Sequence, residues 1–167
     1  MGAPSTKHDS RPNGWSPAAA ASSTQRGSTS ESNGHRAFVV CYLGSWDPRY
    51  EKARDLCAVV KLEGCQSLRF GMPNDEAISG HPLWGRGLGV YSAHVVPSSD
   101  WLEQHRRWNS VHRSHSDEDW RRLRHYVFTF HDEMLEALAA DVQATVAPGP
   151  MHALVHSCLD RLWRDRD

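Results

Sequence analysis

Residues 126–139 read YVFTFHDEMLEALA. The first half alternates aromatic and β-branched side chains, the composition of a buried strand. Tyr126, Phe128 and Phe130 fall on one face, with Val127, Thr129 and His131 on the other. The second half admits two readings. Met134, Leu135, Leu138, Ala139 and Val142 are spaced for a helix, the alanines favour one, and Asp132 is placed to cap it. A tight hairpin at 131–133 would instead put Leu135, Ala137 and Ala139 on a sixth strand. Propensity favours the helix, which is the expectation for 133–142.

Upstream of this stretch, four more segments read as strands. Residues 37–43 (AFVVCYL) are β-prone and apolar on both faces, which suits a central strand. Residues 56–62 alternate, with Leu56, Ala58, Val60 and Leu62 on one side and Cys57, Val59 and Lys61 on the other. A turn at Glu63-Gly64-Cys65 would return the chain as a hairpin over 66–70, with Leu68 and Phe70 inward. Residues 90–96 (VYSAHVV) form the fourth strand, ended by Pro97.

Helices dominate the later chain. The spacing of Asp100 and Glu103 fits a capping box opening a helix over 100–111, with Trp101, Leu102, His105 and Trp108 on one face. Ser116 and Asp119 open a second, shorter helix ending near Arg124. After the break at Ala147-Pro148-Gly149-Pro150, residues 151–163 carry Leu154, Val155, Cys158, Leu159, Leu162 and Trp163 as an amphipathic stripe. Strands come first and helices later, without βαβ alternation. The expected class is therefore α+β, with one mainly antiparallel sheet of five or six strands packed on two or three helices.

A chain of 167 residues accommodates one such domain, expected over 36–165. Residues 1–34 are rich in Ser, Gly, Pro, Ala and Thr and nearly devoid of large aliphatic residues, so a disordered tail is expected there. A formal net charge of −1 gives no basic excess for nucleic acid. No apolar run reaches the length a bilayer requires, and 17–21 is a poor secretory core. Cys41, Cys57, Cys65 and Cys158 show no CxxC spacing and read as reduced thiols, implying a cytoplasmic setting.

Residues 71–89 (GMPNDEAISGHPLWGRGLG) hold five of the twelve glycines, and a long irregular loop inside a small domain is more often functional than not. A helical turn is compatible with 75–79. Asp75, Glu76 and His81 lie here, beside Trp84 and Arg86 as ligand-binding candidates. Facing them in the expected fold are His131 and Asp132, with Glu133 and Glu136 nearby. A histidine at a strand end beside a carboxylate suits general acid–base work, the acid orienting the ring. If His81 meets His131, the two imidazoles with Asp75, Glu76 and Asp132 also suit a divalent metal, although the spacing matches no ligand pattern. The competing structural reading is an acidic helix start and a proline-shaped turn.

Other combinations carry less. Gly85, Gly87 and Gly89 precede a strand rather than opening a helix, so they are not a phosphate loop. Arg106, Arg107, Arg121, Arg122 and Arg124 are interleaved with acids, the pattern of a solvated helix surface. His112 and His115 read as solvent-facing, and His94 and His105 as core-edge residues. No GxSxG elbow and no helix-start cysteine is present. Two functional expectations follow. The first is a binding module without catalysis, for a protein or small-molecule partner, with Trp46, Trp84 and Trp101 as anchors and homo-oligomerisation compatible with it. The second is a His/carboxylate enzyme, with or without a divalent metal, whose pocket lies between 71–89 and 126–136. No cofactor is implied by any motif.

Overall fold

The computed structural model describes residues 35–43 and 56–164, together with Trp15–Ser23 as a strand. The fold is α+β, with two antiparallel sheets and three helices. The rest of the expected 1–34 tail and Trp46 lie outside the described residues.

The first sheet is built on β2 (Arg36–Leu43), β3 (Leu56–Glu63) and β8 (Asp141–Pro148), in that order, with β1 (Trp15–Ser23) paired along the free side of β2. The second runs β4 (Ser67–Gly71), β7 (Met134–Ala139), β6 (Arg124–Thr129), β5 (Ala93–Val96). This corrects the expectation of a single sheet. The physical reason lies at Gly64. There the chain does not fold back on β3; it crosses to the other sheet, so β3 pairs with β8 and β4 with β7. Ala140 makes the matching crossing from β7 to β8, its N–H bonded to the Glu63 carbonyl at 2.8 Å. The two segments therefore form one long bent ladder shared by both sheets. Gly64 sits at its corner with φ +60°, a left-handed conformation that glycine adopts without steric cost. A Cβ there would come to 3.0 Å from that of Ala140, so the corner also needs the missing side chain.

The two-sided pattern of the strands is used in full. Ala37, Val39, Cys41, Ala58, Val60 and Leu62 of the first sheet face Phe128, Phe130, Leu135, Ala137 and Ala139 of the second, forming the core between the sheets. The opposite face of the first sheet, with Phe38, Val40, Cys57 and Val59, is covered by Met151, Cys158 and Leu162 of α3 (Met151–Arg164). The alternation read over 56–62 thus sorts its residues into two distinct cores.

Residues 133–142 are a correction. They form β7 and the start of β8, not a helix. Helix propensity distinguishes alanine from β-branched residues by well under 1 kcal/mol per position. Placing Leu135, Ala137 and Ala139 between the sheets while Met134 and Leu138 are buried on the other side outweighs it. Smaller differences have equally local causes. Phe70 points inward beside Leu135 but remains 43 % exposed, because β4 is an edge strand. The fourth strand shortens to Ala93–Val96, since Tyr91 just before it adopts φ +52°. The helix α1 (Asp100–Asn109) is capped by Ser99, not Asp100, through a bond from the Leu102 N–H at 3.0 Å. Ser116 caps α2 (Asp117–Arg122) as its spacing predicts. None of the described helices is long and apolar enough to cross a membrane.

Candidate functional site

The outer face of the second sheet carries the ionisable groups. Along β6, His125, Val127 and Thr129 follow one another on that face, and Met134 and Glu136 present themselves beside them from β7. Residues 71–89 lie across the middle, where Ile78 and Leu88 bury against Val127 and Met134. The 75–80 segment is turned as its sequence suggests, with a short 3-10 helix at Ile78–Gly80. The apolar contact divides the face into two polar clusters. His125 and Thr129 are four residues apart on one strand, about 13 Å at the usual rise.

The first cluster gathers around Glu136. His125, 4 % exposed, bonds through Nε2 to the Glu136 carboxylate at 2.8 Å and through Nδ1 to Ser99 Oγ at 2.8 Å. Its ring packs edge-on against Trp101, with centroids 5.1 Å apart. Arg69 Nε lies 3.5 Å from the other Glu136 oxygen, and its guanidinium sits 3.7 Å over the Trp101 ring. Burial is the largest influence on Glu136 and pushes its pKa up. The hydrogen bond from His125 and the charges of Arg69, His125 and His81 together outweigh it, holding the carboxyl below its ordinary range. His81 lies within electrostatic reach of the same carboxylate. Burial is the main cause of its lowered pKa, with Glu136 opposing and Arg69 and His125 adding to the effect. Its Nδ1 accepts the Leu83 N–H at 3.2 Å, which suits a neutral ring.

The second cluster ties three segments together. Asp75 accepts the Tyr91 hydroxyl, and its backbone N–H bonds to the His131 carbonyl at 3.0 Å. His131 Nδ1 lies 3.2 Å from Asp132 Oδ1 and 3.7 Å from Asp75 Oδ1. The chain turns at 130–133, as it must if Asp132 is to reach its neighbour, with Phe130 N–H bonded to the Glu133 carbonyl. The positive φ of Tyr91 is unusual for a bulky residue. It is held by Thr129, whose hydroxyl and amide bind Gly89 and Ser92 on either side. The bond to Asp75 is the first cause of the Tyr91 phenol being pushed up to about 12. His131 is 61 % exposed and Asp132 70 %. This cluster works as a clamp that fastens the 71–91 segment to the turn.

His81 and His131, paired in the sequence-based expectation, therefore belong to different clusters, and no hydrogen bond, ion pair or ring contact joins them. Ile78 and its apolar partners occupy the space between. Glu76 is exposed on the turn. Trp84 is exposed, and Arg86 lines a shallow cleft of about 230 Å³ with Leu83, Leu88, His94, Val96 and Pro97, smaller than most small-molecule sites. Gly85 and Gly87, at φ +78° and +103°, serve that turn rather than a phosphate. Among the described residues, no three His, Cys, Asp or Glu side chains are grouped to hold a metal ion. Burial pushes the Cys41 thiol up to about 12 and Cys65 up to about 11, which disfavours both as nucleophiles.

Ser99 and His125 do not stand out in the sequence, and Glu136 stands out only as a neighbour of His131. Ser99 is hidden beside an apparent Asp100 cap and Glu136 in an apparent helix. One signal points to the pair: reading 124–139 as a hairpin puts His125 and Glu136 on the same face. No protein-family model, curated protein or solved structure matches the chain.

The two lowered histidines set a pH dependence. His81 and His105 are both depressed first by burial, so the unfolded chain binds protons more readily than the native one below about pH 6.5. Their contribution to stability is present above that value and lost as pH falls beneath it. The thermal midpoint should decline from about pH 7.5 to about 5.5, and by less in His81→Gln.

Proposed function

We propose that the protein is a His/carboxylate enzyme whose acid–base centre is His125 with Glu136, on the outer face of the second sheet. The observation that carries this reading is a largely buried carboxylate, favoured in its ionised form, bonded to one imidazole and within electrostatic reach of a second. His125 is hydrogen-bonded to it and oriented by it, while burial lowers the pKa of His81 against the opposing charge of Glu136. A carboxylate in that position fixes the tautomer of His125 and orients its ring, as general-base work requires. His81 supplies a neutral imidazole to polarise or protonate a bound group. Arg69, half-exposed at the same carboxylate, is the cation available to an anionic substrate group.

The test works with the substrate still unidentified. Purified protein is incubated with a small-molecule cell extract, and the mixture is followed by mass spectrometry. Wild type should consume or produce at least one component that His125→Gln leaves unchanged. Identical profiles for the two proteins contradict the enzyme reading.

A binding module is the second reading, favoured by the exposed Trp84 next to the cleft that Arg86 lines. An aromatic anchor beside a cation suits a protein or small-molecule partner. Thiols at Cys41, Cys65 and Cys158 fit a reducing, cytoplasmic setting for either reading.

A further inference from the structure

We propose that Ser99 is a covalent nucleophile for acyl transfer, activated through His125 and Glu136. The inference rests on the acid–base reading of His125 and adds the atom that attacks. The hydrogen-bond directions are fixed from one end. An ionised Glu136 only accepts, so the proton between it and His125 resides on Nε2. In the neutral ring Nδ1 is then a bare acceptor, and the Ser99 hydroxyl donates to it. Ser99 Oγ in turn accepts the Leu102 N–H at 3.0 Å. The chain from Leu102 N–H through Ser99 and His125 to Glu136 has one consistent polarity, and it delivers the serine proton to an imidazole backed by a carboxylate. That is the logic of nucleophile, base and orienting acid, with the two ring nitrogens exchanged relative to the usual serine hydrolase arrangement.

Three features distinguish this from a cap that merely touches a histidine. A cap needs only the bond to the helix amide, which Ser99 already makes. Glu136 is held below the ordinary carboxyl range although it is largely withdrawn from solvent, and Arg69 is braced on Trp101 to neutralise it. Ser99 is also only partly buried, whereas the base behind it is enclosed. The substrate class is an ester, thioester or activated amide. In the first step Ser99 Oγ bonds to the carbonyl carbon, its proton passes to His125 Nδ1, and the tetrahedral adduct expels the alcohol, thiol or amine, which takes that proton. In the second, water adds to the acyl-serine, gives its proton to Nδ1, and Ser99 leaves with it, releasing the acid. The Asp100 and Trp101 amides at the start of α1 lack intrahelical acceptors, as at any helix start, and are the donors this proposal assigns to the oxyanion.

A fluorophosphonate probe tests this without a known substrate. It phosphonylates activated serines with loss of fluoride, the serine proton again passing to the base. Full-length folded protein should take one label, mapped by peptide mass spectrometry to Ser99, at a rate well above the heat-denatured control. Glu136→Gln should lower the rate by at least about tenfold, and Ser99→Thr, which keeps a capping oxygen, should lower it as well. Folding of each variant is checked by its circular dichroism melt. Absence of label on Ser99 in the wild type overturns the proposal whatever the variants do, as does labelling unchanged in a folded Glu136→Gln. If Ser99 takes no label while extract turnover still depends on His125, the nucleophile is refuted and the acid–base reading stands.

Discussion

Replacing Leu135 with alanine is expected to destabilise the fold by about 3 kcal/mol. Leu135 is fully buried, lies near the start of β7, and is flanked by Phe128 on β6 and Phe70 on β4. Its side chain projects into the space between the sheets, where both sheets contribute. Truncation removes contacts on both sides at once, and strands tied into a shared ladder have little freedom to close the gap. Against a total stability of roughly 5–15 kcal/mol, the loss is large enough to lower the thermal midpoint by about 10 °C. Val111→Ala serves as the control, since Val111 is 91 % exposed, and it should change stability by no more than about 0.5 kcal/mol. Equal effects for the two variants, by urea unfolding, would contradict the position of Leu135 between the sheets.

Glu136→Ala is expected to cost about as much, for a different reason. It leaves the His125 Nε2–H without its acceptor in a nearly closed environment and removes the partner of Arg69. Leaving a buried donor without its acceptor costs about 1–3 kcal/mol, more when the lost acceptor is charged. Arg69 retains its stacking on Trp101 and partial solvent access, so it adds little, and the expected loss is about 3 kcal/mol. Glu136→Gln keeps an oxygen for His125 and should cost only about 1 kcal/mol. The contrast between Ala and Gln separates lost packing and hydrogen bonding from lost charge. A Gln variant as unstable as Ala would mean that the negative charge itself holds the cluster together.

How far the sequence discloses this architecture depends on whether the deciding contacts are local. Residues 37–43, 56–62, 126–130 and 151–163 are legible because burial on one or both faces imposes a periodicity on each segment alone. The corner at Gly64 is not. A glycine between two strands is as consistent with a hairpin as with a crossing between sheets, and only Ala140, far along the chain, decides. The same kind of distance obscures β7. Its alanines favour a helix locally, yet the second sheet supplies a partner on each side and buries them. The strand β8 alternates Val142, Ala144 and Val146 with Asp141, Gln143 and Thr145, but it is mostly exposed at a sheet edge and its first residues are absorbed by the helix reading of 133–142.

The site shows the same division. His81 is visible as a residue, but its partner is not, because Ile78 and Leu88 plug the gap toward His131. Asp75, His131 and Asp132 do meet, at a turn that fastens Tyr91 to the loop. Ser99, His125 and Glu136 come from a cap, a strand and the following strand, and no spacing rule links them.

The protonation pattern of His125 tests the central claim most directly. Long-range ¹H–¹⁵N correlation at about pH 8, where an ordinary imidazole is neutral, distinguishes the two ring nitrogens. The account predicts a proton on Nε2, directed at Glu136, and an unprotonated Nδ1 that accepts from Ser99. A proton on Nδ1 at that pH, whether as the other tautomer or as a persistent imidazolium, would leave Ser99 without a base and contradict the account.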